Sequence, residues 1–367
     1  MQQNWCLVHP RGLAQRPLQA TKLDELQLRV LARGPILERK TPNAPLQATT
    51  ALQRRPKQQI ETPGDDDIDM AGSGALPVVD LAPFFAGGDE DGVARATEAV
   101  REACRSHGFF RAVNHGVPPE VMSRALELSA AFFALPDEEK SKARPAAEGS
   151  DSPLPAGYAR QPAHSADKNQ YVLMFDPKLG FNVYPAQPAG FRDAVDECFA
   201  RVTQLGLLIQ EILNECMGLP PGFLNSYNSD RGFDFMVALR YFPATEEESN
   251  GLSEHEDGNL ITFVFQDGVG GLEVLKDGEW VLSNKKLKSA THRVVRKPAA
   301  HRHSFAFFFA THGDKWVEPL PEFTVKIGEA PRYKGFFYKD YQQLRMRNKT
   351  HPPARPEDVI HITHYEI

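Results

Sequence analysis

Residues 255–267 read His255-Glu256-Asp257-Gly258-Asn259-Leu260-Ile261-Thr262-Phe263-Val264-Phe265-Gln266-Asp267, and the fold is decided by this stretch. Leu260–Phe265 is a strand candidate, rich in β-branched and aromatic residues. In an extended chain residues two apart point the same way, so His255 and Asp257 offer an imidazole and a carboxylate to a common point. Outward from here, beyond Phe233, the pattern keeps a period of two. Further strands are expected at Phe235–Phe242, Leu272–Leu275, Glu279–Leu282, Thr291–Val295 and Ser304–Ala310, with Lys276-Asp277-Gly278 as a hairpin turn. Upstream the period is helical. Val93–His107 is closed by Gly108, Pro118–Leu135 ends before Pro136, and Phe191–Met217 carries Val195, Val202, Leu205, Ile209 and Leu213 on one face. Residues 77–81 and 109–113 read as strands, 149–187 as loop, and Tyr333–Lys349 as a late helix before a Pro-rich tail. Helices first and short strands afterwards imply a mainly β fold, a sandwich or jelly roll flanked by helices.

A second histidine brought beside His255 and Asp257 would complete a 2-His-1-carboxylate facial triad, which leaves coordination positions open for a cosubstrate and O2. His292, in Thr291-His292-Arg293-Val294, is the best candidate. Ten residues later come Arg302-His303-Ser304, whose outer two share a face. An arginine forks onto a carboxylate and a serine hydroxyl adds a hydrogen bond, a pair suited to the distal carboxylate of 2-oxoglutarate. Blander readings exist for the other candidates. A lone His-x-Asp is commonly a surface coincidence, and the Phe305–Phe309 run is core in most proteins. His301 and His303 point away from Arg302 and read as partly exposed strand residues, while His115 and His312 read as turn residues. Cys198 and Cys216 read as small buried apolar groups.

With Gly270-Gly271-Leu272-Glu273-Val274-Leu275-Lys276-Asp277-Gly278-Glu279-Trp280 added, the quoted stretch resembles the plant 2-oxoglutarate oxygenases. That family includes flavonol and anthocyanidin synthases, gibberellin oxidases and the related aminocyclopropane-carboxylate oxidases. Gly108-Phe109-Phe110, Asn114-His115-Gly116-Val117 and Phe132-Phe133-Ala134-Leu135-Pro136 match its N-terminal region, so the resemblance spans Leu76 to the C-terminal helix. It implies an isopenicillin-N-synthase-like double-stranded β-helix (jelly roll). It also implies His255, Asp257 and His292 as iron ligands, Arg302 and Ser304 as 2-oxoglutarate binders, and Phe308 as a substrate-pocket residue. The expected chemistry is an Fe(II)-, 2-oxoglutarate- and O2-dependent hydroxylation or desaturation of a small organic metabolite, with succinate and CO2 as coproducts and ascorbate as a reductant.

Two departures from the family pattern stand out. Asp257 to His292 is 35 positions, ~20 short of a complete jelly roll. The gap falls after Val281, where relatives carry a buried strand resembling LVVNVGD, so one core strand is expected to be missing. That interval raises an alternative, a catalytically inactive truncated isoform that no longer holds iron. A third reading, an oxygenase using ascorbate in place of 2-oxoglutarate, needs the same triad. The second departure is Arg240-Tyr241-Phe242-Pro243, where relatives often have Asn-Tyr-Tyr-Pro and the second tyrosine helps hold 2-oxoglutarate.

The 367 residues, 41% hydrophobic, suffice for one large core or two modest ones. A net charge of −6 argues against nucleic acid or an anionic membrane as partner. No run of 18 apolar residues suggests a membrane span. Four scattered cysteines without a CxxC pair fit a reducing cytoplasm. Residues 1–62 hold ten Lys/Arg against four Asp/Glu, and PLQAT occurs at Pro17–Thr21 and Pro45–Thr49. Residues 1–69 are therefore expected to be a disordered or mis-annotated extension, with Met70 a plausible start. The remaining divisions are a helical region 70–232, a jelly-roll core 233–332 and a C-terminal helix and tail 333–367.

Overall fold

The computed structural model describes residues 28–31, 76–145, 154–275, 283–350 and 361–367. Its helices follow the expected caps and periods. After a short α1 (Pro83–Ala86), α2 spans Glu90–Ser106, with the Asp89 carboxylate accepting from the Gly92 amide at 2.8 Å and Glu90 and Asp91 in the first turn. Gly108, at φ +67°, turns the chain out of it. A side chain there would sit 2.5 Å from the Lys288 carbonyl oxygen, so only glycine allows that approach. Then come α3 (Pro119–Phe133), α4 (Asp137–Ser141), α5 (Phe191–Cys216), α6 (Phe223–Tyr227) and α7 (Tyr338–Thr350).

Eleven strands carry the site: β1 (Leu28–Leu31), β2 (Val78–Asp80), β3 (Phe110–Val113), β4 (Gly157–Arg160), β5 (Asn169–Phe175), β6 (Phe235–Tyr241), β7 (Asn250–His255), β8 (Ile261–Gln266), β9 (Leu272–Leu275), β10 (Thr291–Val295) and β11 (Arg302–Phe309). Eight form a large sheet in the order β2-β3-β1-β8-β11-β6-β5-β4, and three form a small one, β7-β10-β9. The period of two sorts the side chains between the two faces of the large sheet. Phe263, Phe265, Phe305, Phe307 and Phe309 face α3 and α5 and are fully buried, each worth about 1.5–3 kcal/mol of transfer from water. Gly206 of α5 makes room for the Phe309 ring, which would lie 2.6 Å from an added Cβ. On the other face Tyr241, Val264 and Ala306 pack with Leu272, Val274 and Val294 of the small sheet. Two sheets closed over one interior, with helices outside, make the jelly roll expected from the sequence.

Three differences from the sequence reading have physical causes. Leu28–Leu31, expected to be part of a disordered extension, form a strand hydrogen-bonded on both sides. Four residues are too few for a periodicity signal, so only the pairing reveals them. The stretch 149–187, read as loop, contains β4 and β5. β5 is buried at six of its seven positions and so shows no alternation. β7 was not expected either, because its burial is weak and irregular. The hairpin turn at 276–278, the strand expected at Glu279–Leu282, the junction after Val281 and the Pro-rich tail at 351–360 lie outside the described residues. So do residues 1–27 and 32–75.

Candidate active site

The small sheet brings the histidines together. In the β7–β10 pairing His255 and His292 are direct partners, with ring centroids 4.3 Å apart. Asp257 lies two residues past the end of β7. Its Oδ1 is 3.6 Å from His255 Nε2 and its Oδ2 3.8 Å from His292 Nε2, and one ligand atom from each residue falls within 4.8 Å of the others. His255 Nδ1 is bonded to the Ser253 carbonyl at 2.8 Å and His292 Nδ1 to the Ala290 carbonyl at 3.1 Å. A carbonyl only accepts, so each Nδ1 carries a proton and each Nε2 faces Asp257. Burial works against the Asp257 carboxylate, but His292, His255, the Thr262 hydroxyl and Arg345 outweigh it and hold the carboxyl below the usual range. Two imidazole lone pairs and one carboxylate are a donor set that fits a divalent iron.

Arg302 begins β11 and is 2% exposed. Its guanidinium donates to Ser304 Oγ at 3.1 Å and to Gln266 Oε1 at 2.6 and 3.2 Å, and it lies 4.8 Å from the centre of the Tyr241 ring. Arg302, Ser304, Ala306 and Phe308 alternate along β11 on the side facing the small sheet, as do Ala290, His292 and Val294 at β10, so both clusters open onto the same interior. Register relates them. Thr262, beside Asp257, pairs with Phe308, and Gln266, beside Arg302, pairs with Ser304. Four strand residues separate the two ends, about 13 Å. Phe308 therefore lies at the triad's end, stacked on Phe235 at 4.4 Å.

Four residues of this neighbourhood escaped the sequence reading. Tyr241, opposite Arg302 in the β6–β11 register, directs its hydroxyl to Arg302 and Ser304. Phe242 faces the other way, against Arg160 and His301, so its missing hydroxyl is not missing from this site. Thr262 and Gln266 stood in the opening stretch and share its inward face, a signal that the period of two already carried. Arg345 had no local signal. It reaches from α7 to the Glu256 carbonyl and to Tyr341 Oη at 3.3 Å, and Gly258 leaves it room. An added Cβ at Gly258 would lie 2.9 Å from Tyr341 and 3.0 Å from Arg345. The remaining candidates are structural. His115 accepts from the Val117 amide and His312 from the Asp314 amide, both at 3.2 Å. His301 contacts Arg240 and His303 contacts Asp267. Burial raises the Cys198 and Cys216 thiols to about 12.

Comparison with known proteins bears on the family and the reaction class. Residues 76–195 match the N-terminal family model of the non-haem dioxygenases in morphine synthesis, and residues 233–311 match the 2OG-Fe(II) oxygenase superfamily. Gibberellin 20 oxidase 1-B of Triticum aestivum is 30% identical over 334 residues, covering 80% of this chain and 88% of that protein. 2-Oxoglutarate-dependent dioxygenase 19 of Oryza sativa subsp. japonica is 29% identical over 316 residues, 80% of this chain and 92% of that one. The solved structure of JOX2 in complex with 2OG, Fe and JA superposes with a TM-score of 0.65 at 26% identity, covering 81% of this chain and 90% of that chain. The chain belongs to the 2OG-Fe(II) oxygenase superfamily. It is a 2-oxoglutarate-dependent dioxygenase, with Fe(II) as cofactor and 2-oxoglutarate and O2 as cosubstrates. No described helix is long and apolar enough to cross a membrane.

Proposed function

We propose that His255, Asp257 and His292 hold the iron, that Arg302 and Ser304 bind the distal carboxylate of 2-oxoglutarate, and that Phe308 lines the pocket of a small organic substrate. The observation carrying this reading is the direct pairing of His255 with His292 across β7 and β10, with Asp257 closing the triangle. Bound there, Fe(II) with 2-oxoglutarate and O2 supplies the oxidising power, and succinate and CO2 leave as coproducts. The protein's own part is placement. The Ser253 and Ala290 carbonyls orient the two imidazoles. One carboxylate and two neutral imidazoles leave the ion a net positive charge, which favours an anionic cosubstrate. Gln266 and Tyr241 fix the guanidinium fork before the cosubstrate arrives, and the Phe308–Phe235 stack excludes water beside the triad. The reaction is hydroxylation or desaturation of a metabolite held against that aromatic wall.

The inactive-isoform alternative needs a dispersed triad, and its three side chains lie together despite the short interval. The buried Arg302–Ser304 pair favours 2-oxoglutarate over ascorbate as the electron source. An anaerobic titration with Fe(II) and 2-oxoglutarate tests the assignment by the visible charge-transfer band of the chelate. A saturable band, followed by succinate release on adding O2, is expected, and folded protein that gives no band would refute it. The described cysteines, Cys104, Cys198 and Cys216, are free and buried. That suits a reducing compartment, so we assign the chain to the cytoplasm, and a fluorescent fusion found in an organelle would refute this.

A further inference from the structure

We propose that Leu28–Leu31 replaces the core strand missing from the shortened Asp257–His292 interval and, by doing so, positions β8 for the active site. β1 lies between β3 and β8 and is antiparallel to both. Leu28, Arg29 and Val30 pair with Ala112, Arg111 and Phe110, while Arg29, Val30 and Leu31 pair with Val264, Phe263 and Thr262. Without it β8 pairs with β11 alone, β3 pairs with β2 alone, and the large sheet falls into two pieces.

The chain's route shows why this place needs filling. β6, β7, β8 and β9 alternate between the large and small sheets, but β9 is followed among the described strands by β10, its own neighbour in the small sheet. Among the described residues no large-sheet strand stands between them. On the other side of β8 the positions are taken by β11, β6, β5 and β4, so such a strand has only the outer edge of β8 to join. Leu28–Leu31 occupies that edge.

The consequence reaches the site through β8. Leu31 stands opposite Thr262, which lines one cavity together with Asp257. At the far end of the same strand Gln266 holds the Arg302 guanidinium. A β8 with a free edge would leave both residues on a strand anchored from one side. The strand is therefore a positioning element for both halves of the site, acting through Thr262 and Gln266 and touching neither iron nor 2-oxoglutarate.

Amide hydrogen exchange on the full-length chain tests this. Leu28–Leu31 should exchange at least about a hundredfold slower than an unstructured peptide, as paired core strands do. Val30→Pro removes a backbone donor in mid-strand, whereas Val30→Ala keeps it. The proline variant should lose protection at Phe110–Val113 and Ile261–Gln266 and bind Fe(II) with 2-oxoglutarate about tenfold more weakly, as loss of supporting hydrogen bonds does at metal sites. The alanine variant should do neither. A synthetic peptide of residues 22–35 added to Val30→Pro should restore protection, and the same peptide carrying proline at 30 should not. Unstructured exchange rates at 28–31 in the wild type, or identical behaviour of the two variants at Ile261–Gln266, would overturn the proposal. If Val30→Pro does not fold, the wild-type exchange decides alone. That readout contains no metal, so it stands or falls apart from the assignment of the iron ligands.

Discussion

Replacing Arg302 with methionine should separate cosubstrate binding from stability, because under the proposed assignment the buried guanidinium serves the cosubstrate's carboxylate. In the free protein its hydrogen-bond partners are neutral, Gln266 Oε1 and Ser304 Oγ, with the Tyr241 ring alongside. Burial lowers its pKa from the ordinary arginine value, although Tyr241 and Asp267 oppose this. Removing the charge relieves a desolvation penalty of several kcal/mol. Against that, Gln266 and Ser304 lose their donor, at about 1–3 kcal/mol each. The two effects are similar in size, so Arg302→Met should change stability without 2-oxoglutarate by less than about 2 kcal/mol, or roughly 4 °C in melting temperature. Binding has no such offset. Two charge-assisted hydrogen bonds to a carboxylate, at about 1.5–3 kcal/mol each, amount to a ~10²- to 10⁴-fold loss of 2-oxoglutarate affinity. Thermal melting measures both quantities. The wild type should gain about 2.7 kcal/mol at a hundred times Kd, and the variant at the same concentration should gain no more than about 0.4 kcal/mol. A variant whose 2-oxoglutarate Kd stays within a few-fold of wild type would refute the carboxylate assignment. One that unfolds without ligand would show that Arg302 is required by the fold.

Other outcomes follow from the same geometry. His292→Ala should abolish the anaerobic Fe(II)–2-oxoglutarate band, with metal affinity falling more than ~100-fold, since even outer-sphere changes cost 10- to 100-fold; a normal band would remove His292 from the site. Tyr241→Phe should weaken 2-oxoglutarate by roughly 2- to 12-fold, the value of one hydrogen bond. Phe242→Tyr should change nothing, and a tighter Kd there would mean that the two residues have exchanged faces. Gly258→Ala drives a methyl into Tyr341 and Arg345, so α7 should lift from the ligand loop and Fe(II) affinity should drop ~10-fold; unchanged metal titration would show that the helix does not support the site. Asp234 is held protonated to about 7, chiefly by burial, although the Ala310 amide and Arg231 pull the other way. The folded state therefore binds the extra proton between the unfolded value near 3.8 and about 7, and the wild type should lose stability as pH rises through that window. Asp234→Asn should escape this loss, gaining on the wild type by up to about 4 kcal/mol between those limits; parallel denaturation curves at pH 4 and pH 8 would exclude the effect.

Much of the fold could be read from local pattern. The period of two marked β8, β9, β10 and β11 to within two residues at their ends, and the helical period marked α2, α3 and α5. β10 and the three helices have one face on the core, so their burial is written into the spacing of apolar residues, while β8 and β11, buried on both faces, are marked by their runs of β-branched and aromatic residues. Three other strands gave no such signal. β5 is buried on both faces and has nothing to alternate, β7 is buried on neither for most of its length, and β1 is too short.

The sequence by itself determined the candidate chemistry of this protein: a His-x-Asp whose spacing aligns two candidate ligands, a later histidine, and an Arg-x-Ser on a strand that alternates inward. Each is a property of neighbouring residues, fixed by backbone geometry before any tertiary contact forms. Only the tertiary structure decided which partners meet. The β7–β10 register set His255 beside His292, and the β6–β11 register put Tyr241 rather than Phe242 at Arg302. Arg345 returned from α7 to the ligand loop, and a strand more than two hundred residues upstream of β8 filled the gap at its edge. Those juxtapositions depend on hydrogen-bond register between distant segments. A one-residue slip would reverse every face, and no local pattern records it.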